Sequence, residues 1–373
     1  MTINRIDLSK YQKNKSFYPE LRLLVTIKSF DLKAIRERYL KSRNKKSNRT
    51  GSVSRRETAI GGLALLTIEK GKVTNQEILT KVPEPRGIDS YGDIITFSSE
   101  NKVHILHKDQ LKTLTNPWFS YIHTVDIERS SEDKLLISSS GFDCIFEYDI
   151  HNKQCIYEWF AWENGFDHGI DPETGKRLYL TRNQDVASKY ETEGKNYLLI
   201  DDPANQVLPT AKRAAFINSV VYDLAEKNHF IATFFHEGAV YQIERNSGQS
   251  EKILEGLVNP HGGMKLQSGK IMGTSTKGGE VVINTNNTQY RYDFSNVPGK
   301  PEFLSDFEWI QNSIITKQGN IISIDSNRNS FVIFNTEKNL IDFIPYDENW
   351  AVQDIIETSA DTDHLKLLKS IDF

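Results

Sequence analysis

Along most of the chain apolar and polar residues alternate in runs of five to seven, and Gly, Asn, Asp or Ser clusters separate the runs. "KLLISSS" (134–140), "HFIATFF" (229–235) and "NIISID" (320–325) are typical. "CIFEYDI" (144–150), "AVYQIER" (239–245) and "SFVIFNT" (330–336) repeat the theme one turn later. A period of two bounded by turn residues predicts short antiparallel strands. One segment breaks the pattern: "DLKAIRERYLKS" (31–42) predicts a short helix.

The strands fall into repeats. Five segments can be aligned, starting at Arg86, His123, Asn218, His261 and Asn312, with spacings of 37, 95, 43 and 51 residues. Each opens on a polar residue leading a short strand, followed by an apolar strand, a third alternating strand and an edge-like fourth. Four strands recurring about every 40 residues predict the blades of a β-propeller. A sixth start falls at Gln353, too close to Phe373 to complete four strands. The N-terminal strands "LRLLVTIKSF" and "GGLALLTIEKGKVTNQEIL" would complete that blade and close the ring. The expected fold is therefore all-β: one domain over 1–373 with six four-stranded antiparallel blades, or seven if the N-terminal strands form a blade alone. The long spacing marks an insertion over 162–215, expected to cap the channel mouth because it returns at the start of a blade.

Composition narrows the class. The 373 residues are 38% hydrophobic and 10% aromatic, enough for a sizeable core, and no apolar run is long enough to span a bilayer. A polar N-terminus and only two cysteines, Cys144 and Cys155, expected as buried free thiols of one hairpin, point to a reducing compartment, with the cytoplasm as the expected location. Between Lys33 and Arg56 ten basic residues face one acid, Glu37. That local charge of +9 leaves −13 for the rest of a chain whose total is −4. The segment 31–58 is expected to be a basic, flexible loop after the short helix, or an arm for an anionic ligand or partner. The missing nucleic-acid motif and the acidic remainder argue against nucleic acid.

The polar starters, "LLISSSGFDCIFEYD" and "NPHGG" together resemble the broad group of NHL-type, strictosidine synthase-like, arylsulfotransferase-like and lactonase-like propellers, over roughly residues 60 to 373. That resemblance implies that inner strands begin at the mouth of a central channel where ligands or metals bind. It names no reaction.

On this fold Arg86, His123, Asn218, His261, Asn312 and Gln353 would ring one end of the channel. His236 in "FFHEG" follows a second strand and would reach the same end. Three imidazoles, His123, His236 and His261, form a candidate site for Zn²⁺, Mn²⁺ or Fe²⁺ and an activated water, with Asp306 or Glu308 as a supporting acid. Without metal, His123 or His261 would act as base or nucleophile while Arg86 clamps a carboxylate, sulfate or phosphate. Trp162, Glu163, Asp167 and His168 in the insertion are further candidates for substrate contact. His104 and His107 are assigned to an outer hairpin, and His151, His229 and His364 to turns. Walker, GxSxG and CxxC motifs are missing. The expected function is a small-molecule enzyme of hydrolase or lyase type. The rival is a non-catalytic propeller that binds a ligand or a protein.

Overall fold

A computed structural model describes residues 1–43, 49–54, 57–304 and 306–370, without the side chains of 41–43. Lys45, Lys46, Arg55 and Arg56 of the basic segment, and the side chains of Lys41 and Arg43, lie outside the described residues.

Among the described residues, six antiparallel four-stranded sheets dominate. Their first strands are Ile88–Tyr91, Ile122–Ile127, Ile217–Tyr222, Pro260–Lys265, Ile310–Ile315 and Val352–Glu357. The last of these pairs with Leu21–Ile27, which continues to Ile60–Glu69 and Lys72–Pro83, so the two ends of the chain share one sheet. Two of the sheets gain a parallel fifth strand from the N-terminus: Thr2–Asp7 beside Thr288–Asp293, and Gln12–Lys13 beside Leu340–Pro345. These additions cover outer edges that would otherwise expose unpaired backbone.

Each first strand packs against the first strand of the next sheet, and Val352–Glu357 packs against Ile88–Tyr91. Apolar cores lie between the sheets. Leu63, Leu65, Ile95 and Phe97 join the terminal sheet to the one that begins at Ile88. Leu23, Val25, Ile322 and Ile333 join it to the sheet on its other side. Alternation alone leaves one face of a strand solvated. Here runs such as Lys134–Ser139 and Ser330–Asn335 are buried on both faces, because each sheet is covered by two neighbours.

The first strands share an irregularity. Register slips by one residue at His123, between Ile122 and Thr124, and recurs at Asn218, between Ile217 and Ser219, and at Gln353, between Val352 and Asp354. Wider slips span His261 to Met264 and Ile310 to Ser313. A bulged residue has no cross-strand partner, and its side chain is re-aimed. Two positions before four of the starters the backbone is left-handed: Glu84 (φ 43°), Tyr121 (φ 49°), Phe216 (φ 51°) and Asn259 (φ 52°). For bulky aromatics such as Tyr121 and Phe216 this conformation is strained and persists only where surrounding packing enforces it.

The insertion carries its own three-stranded sheet, His168–Ile170, Arg177–Thr181 and Tyr197–Leu199, and a helix, Gln184–Thr192, capped by the Asn183 side chain. The early helix spans Leu32–Arg43. Asp31 accepts from Ala34 N at its start, and Leu32 and Ile35 pack on Ala351 and Trp309. Arg36 reaches the carbonyls of Ser326 and Asn327, so the start of the basic segment is tied to the sheets.

Some placements depart from expectation. His229 opens the strand His229–Phe234, and His364 sits in the helix Thr362–Lys366, where turns were expected. Cys144 is buried but Cys155 is exposed. The register puts Cys144 opposite Phe160 and Cys155 opposite Tyr148, at opposite ends of their hairpin.

Candidate functional site

A cavity of about 560 Å³ lies where the first strands begin, and its lining brings together His123, His261 and Gln353 from three first strands and Arg86 from the connection that enters a fourth. Helix residues Ile35, Arg38 and Tyr39 line it too, with the stretch Thr50, Gly51 and Ser52 and the returning end of the insertion, Pro209, Thr210 and Arg213. The basic segment and the insertion thus both contribute walls.

At the buried side, Arg86 donates from Nη2 to Glu84 Oε1 at 2.6 Å, and its Nη1 is 3.4 Å from His123 Nε2. His123 gives its Nδ1 proton to the Tyr121 carbonyl at 2.9 Å, which leaves Nε2 as the acceptor facing Arg86. Burial first, then the Arg86 cation, hold this imidazole far below its usual pKa. His261 is partly open to the cavity, with Nδ1 2.7 Å from Thr276 Oγ1. Desolvation, then Lys28, lower its pKa to about 3. Both rings are therefore neutral near pH 7.

The starters also stitch neighbouring sheets. Asn218 donates to the Pro260 carbonyl at 2.9 Å, and Asn312 donates to Asp354 Oδ1 at 2.7 Å. Those bonds draw both side chains toward adjacent strands, and neither asparagine lines the cavity. Gln353 does line it, and its buried Oε1 has no protein partner.

His236 is placed differently from the expectation. It donates from Nε2 to the Thr210 carbonyl at 2.9 Å and lies outside the cavity lining. It fastens the end of the insertion instead of joining His123 and His261. Among the described residues, no group of three or more His, Cys, Asp or Glu side chains is placed to hold a metal ion. The three imidazoles, each bonded to a different part of the chain, do not fit the metal triad expected from the sequence.

The proposed acid and the insertion candidates also part from the site. Glu308 lines the cavity but is held by Lys300 (2.5 Å) and Arg328 (2.9 Å), while Asp306 is not part of the lining. Trp162 is buried against Trp118 and Phe160, and Glu163 pairs with Arg182. His168 pairs with Asp167 and packs on Tyr179. None of the four insertion candidates faces the cavity, because each belongs to the insertion's attachment to its sheet or to the insertion's own packing.

Sequence reasoning missed Arg213. It is 1% exposed, with its guanidinium carbon 4.7 Å from the ring centroids of both Tyr121 and Phe216. The available signal was its position five residues before Asn218, where the insertion returns to a strand start. Phe235, which packs on Phe216 and His261, was missed as well.

No family model and no curated protein sequence matches the chain. Solved structures do. A nidogen/laminin complex aligns with TM-score 0.52 at 8% identity, over 90% of this chain and 97% of that one. A protein of unknown function from Bacteroides caccae aligns with TM-score 0.51 at 11% identity, over 91% and 98%. A virginiamycin B lyase from Staphylococcus aureus gives TM-score 0.42 at 11% identity, over 70% and 84%. The structural neighbours are β-propeller proteins, and this chain shares that fold.

Proposed function

We propose that the chain is a six-bladed propeller, closed by pairing its two ends, that acts as an enzyme on a small organic molecule in the cavity at one end of its axis. The observation that carries this reading is the convergence of His123, His261 and Gln353, from three separate sheets, and of Arg86, from the connection into a fourth, on one partly aromatic cavity. Its volume suits a ligand of drug-like size, and convergent polar groups in such a cavity are the usual mark of a site. The two free thiols, and no described helix long and apolar enough to cross a membrane, support a cytoplasmic setting.

The chemistry supported best is acid–base catalysis of hydrolase or lyase type, with His261 as the group that exchanges a proton with the substrate. A neutral imidazole accepts a proton only if its conjugate acid is tolerated. Burial, then Lys28 and Arg86, act against that. An anionic substrate group beside Lys28 and Arg86 offsets their field and raises the His261 pKa, against the burial that the substrate adds. His123, with both nitrogens engaged, positions Arg86. The metal-assisted form is not carried forward, since the donor set does not assemble.

A non-catalytic binding propeller is the second reading. It is favoured by the same double engagement of His123, which leaves one imidazole in place of two for chemistry. Incubating the protein with a library of esters, lactones and substrates prone to β-elimination, followed by mass spectrometry, separates the two. An enzyme consumes at least one compound, and the His261→Ala variant consumes it about 10²-fold or more slowly. Binding without turnover of any compound supports the second reading and overturns the first.

A further inference from the structure

Arg213 is a buried cation whose two terminal nitrogens have no partner. Its Nε donates to the Leu208 carbonyl at 3.3 Å, while Nη1 and Nη2 are buried without a hydrogen bond. Asp143 is the nearby carboxylate, but its oxygens accept from the backbone N–H groups of Ala214, Ala215 and Ile217, and it forms no ion pair with Arg213. A desolvated guanidinium with two idle donors is expensive to maintain unless something completes it.

The surroundings share its sign. Lys28, Arg38, Arg86 and Lys277 line the same cavity, against Glu308 as the one lining acid among the described residues, already bridged to Lys300 and Arg328. Arg86 lies 5.0 Å from the Tyr121 ring centroid and has an unpartnered buried Nε. Tyr121 therefore stands in contact with both guanidinium groups.

We infer that the cavity binds a small organic carboxylate, with Arg213 as its anchor and Arg86 as the neighbouring cation. The inference deepens the reading of the cavity as a small-molecule site and rests on it. Arg213 packs on the Tyr121 and Phe216 rings, and its uncommitted donors are Nη1 and Nη2 at the end of its fork. A carboxylate is flat and meets that end with two parallel hydrogen bonds in the guanidinium plane. A phosphate ester can meet the same fork, but it brings a bulkier tetrahedral head group and a second charge into a site walled by Tyr121 and Phe216. Arg213, Tyr121 and Phe216 all line the cavity, and binding through Nη1 and Nη2 requires one of the two rings to move aside. The rest of the ligand packs on Phe235 and Trp309.

Ligand-observed NMR on the full chain tests this with matched sets of carboxylates, carboxamides and phosphate esters on phenyl, indolyl and cyclohexyl bodies. At pH 7 at least one carboxylate should bind about tenfold or more tightly than its own amide. Arg213→Gln, checked for folding by circular dichroism, should abolish that preference, and Arg213→Lys should retain part of it. The wild-type comparison stands alone if the variants do not fold. Three results overturn the inference: amides that match their carboxylates, a phosphate ester that outbinds its carboxylate, or a preference unchanged in Arg213→Gln. If no compound of any class binds, the small-molecule reading falls with it. Neutral members that bind without a carboxylate preference remove this inference alone. Loss of turnover is read separately and does not enter the comparison.

Discussion

Nη1 of Arg86 lies 3.4 Å from Nε2 of His123, so a buried cation donates to the lone pair of an imidazole whose other nitrogen is spent on the Tyr121 carbonyl. Protonating Nε2 would replace that bond with a repulsion. In ¹⁵N NMR, His123 is expected to remain the neutral tautomer with Nδ1 protonated from pH 8 to pH 5. A midpoint near the unperturbed value of about 6.5 would contradict the arrangement.

Arg86 also holds Glu84, whose side chain is 1% exposed. Arg86→Met removes a partner from a buried carboxylate and should destabilise the fold by about 3–5 kcal/mol, measured from urea unfolding. The double change Arg86→Met with Glu84→Gln should recover part of the loss. A single variant as stable as wild type would mean that the pair is not desolvated.

Away from the cavity, His104 is 5% exposed, stacks on Phe97 and bonds to Ser99 and Thr113. Burial, then Lys102, lower its pKa to about 4. Below about pH 6.5 the unfolded chain takes up a proton that the folded chain refuses, so stability falls with pH until the folded value is reached. Relative to His104→Gln, the wild type should lose about 1.4 kcal/mol per pH unit between pH 6 and pH 4.5. A pH-independent difference would show that the histidine is not held neutral.

The insertion is fastened where His236 meets the Thr210 carbonyl. His236→Ala should speed amide exchange over residues 210–213 while changing global stability by only about 1 kcal/mol, as for one ordinary hydrogen bond. Unchanged exchange there would remove His236 as the anchor.

The strand pattern was legible because alternation and turn residues are local, and His123, Asn218, His261, Asn312 and Gln353 all fall within the first strands of their sheets. Side-chain direction was not legible. The bulges at His123, Asn218 and Gln353 depend on cross-strand register. Left-handed Tyr121 and Phe216 carry no turn signature in their residue type, unlike Asn259. The asparagines, equal to the histidines as sequence signals, turn to neighbouring strands because a carbonyl or carboxylate stands within reach. Trp162 read as a contact residue, yet an aromatic beside Trp118 and Phe160 gains more by packing with them. Arg213 sits in "TAKRAA", which has no periodicity to flag it.

The most direct measurement is kcat/KM for His261→Ala against wild type, on the first compound that the protein is found to consume. If His261 exchanges a proton with substrate in this cavity, kcat falls about 10²-fold or more while the melting temperature stays within a few degrees. An unchanged kcat/KM in a folded variant would show that the chemistry does not pass through His261.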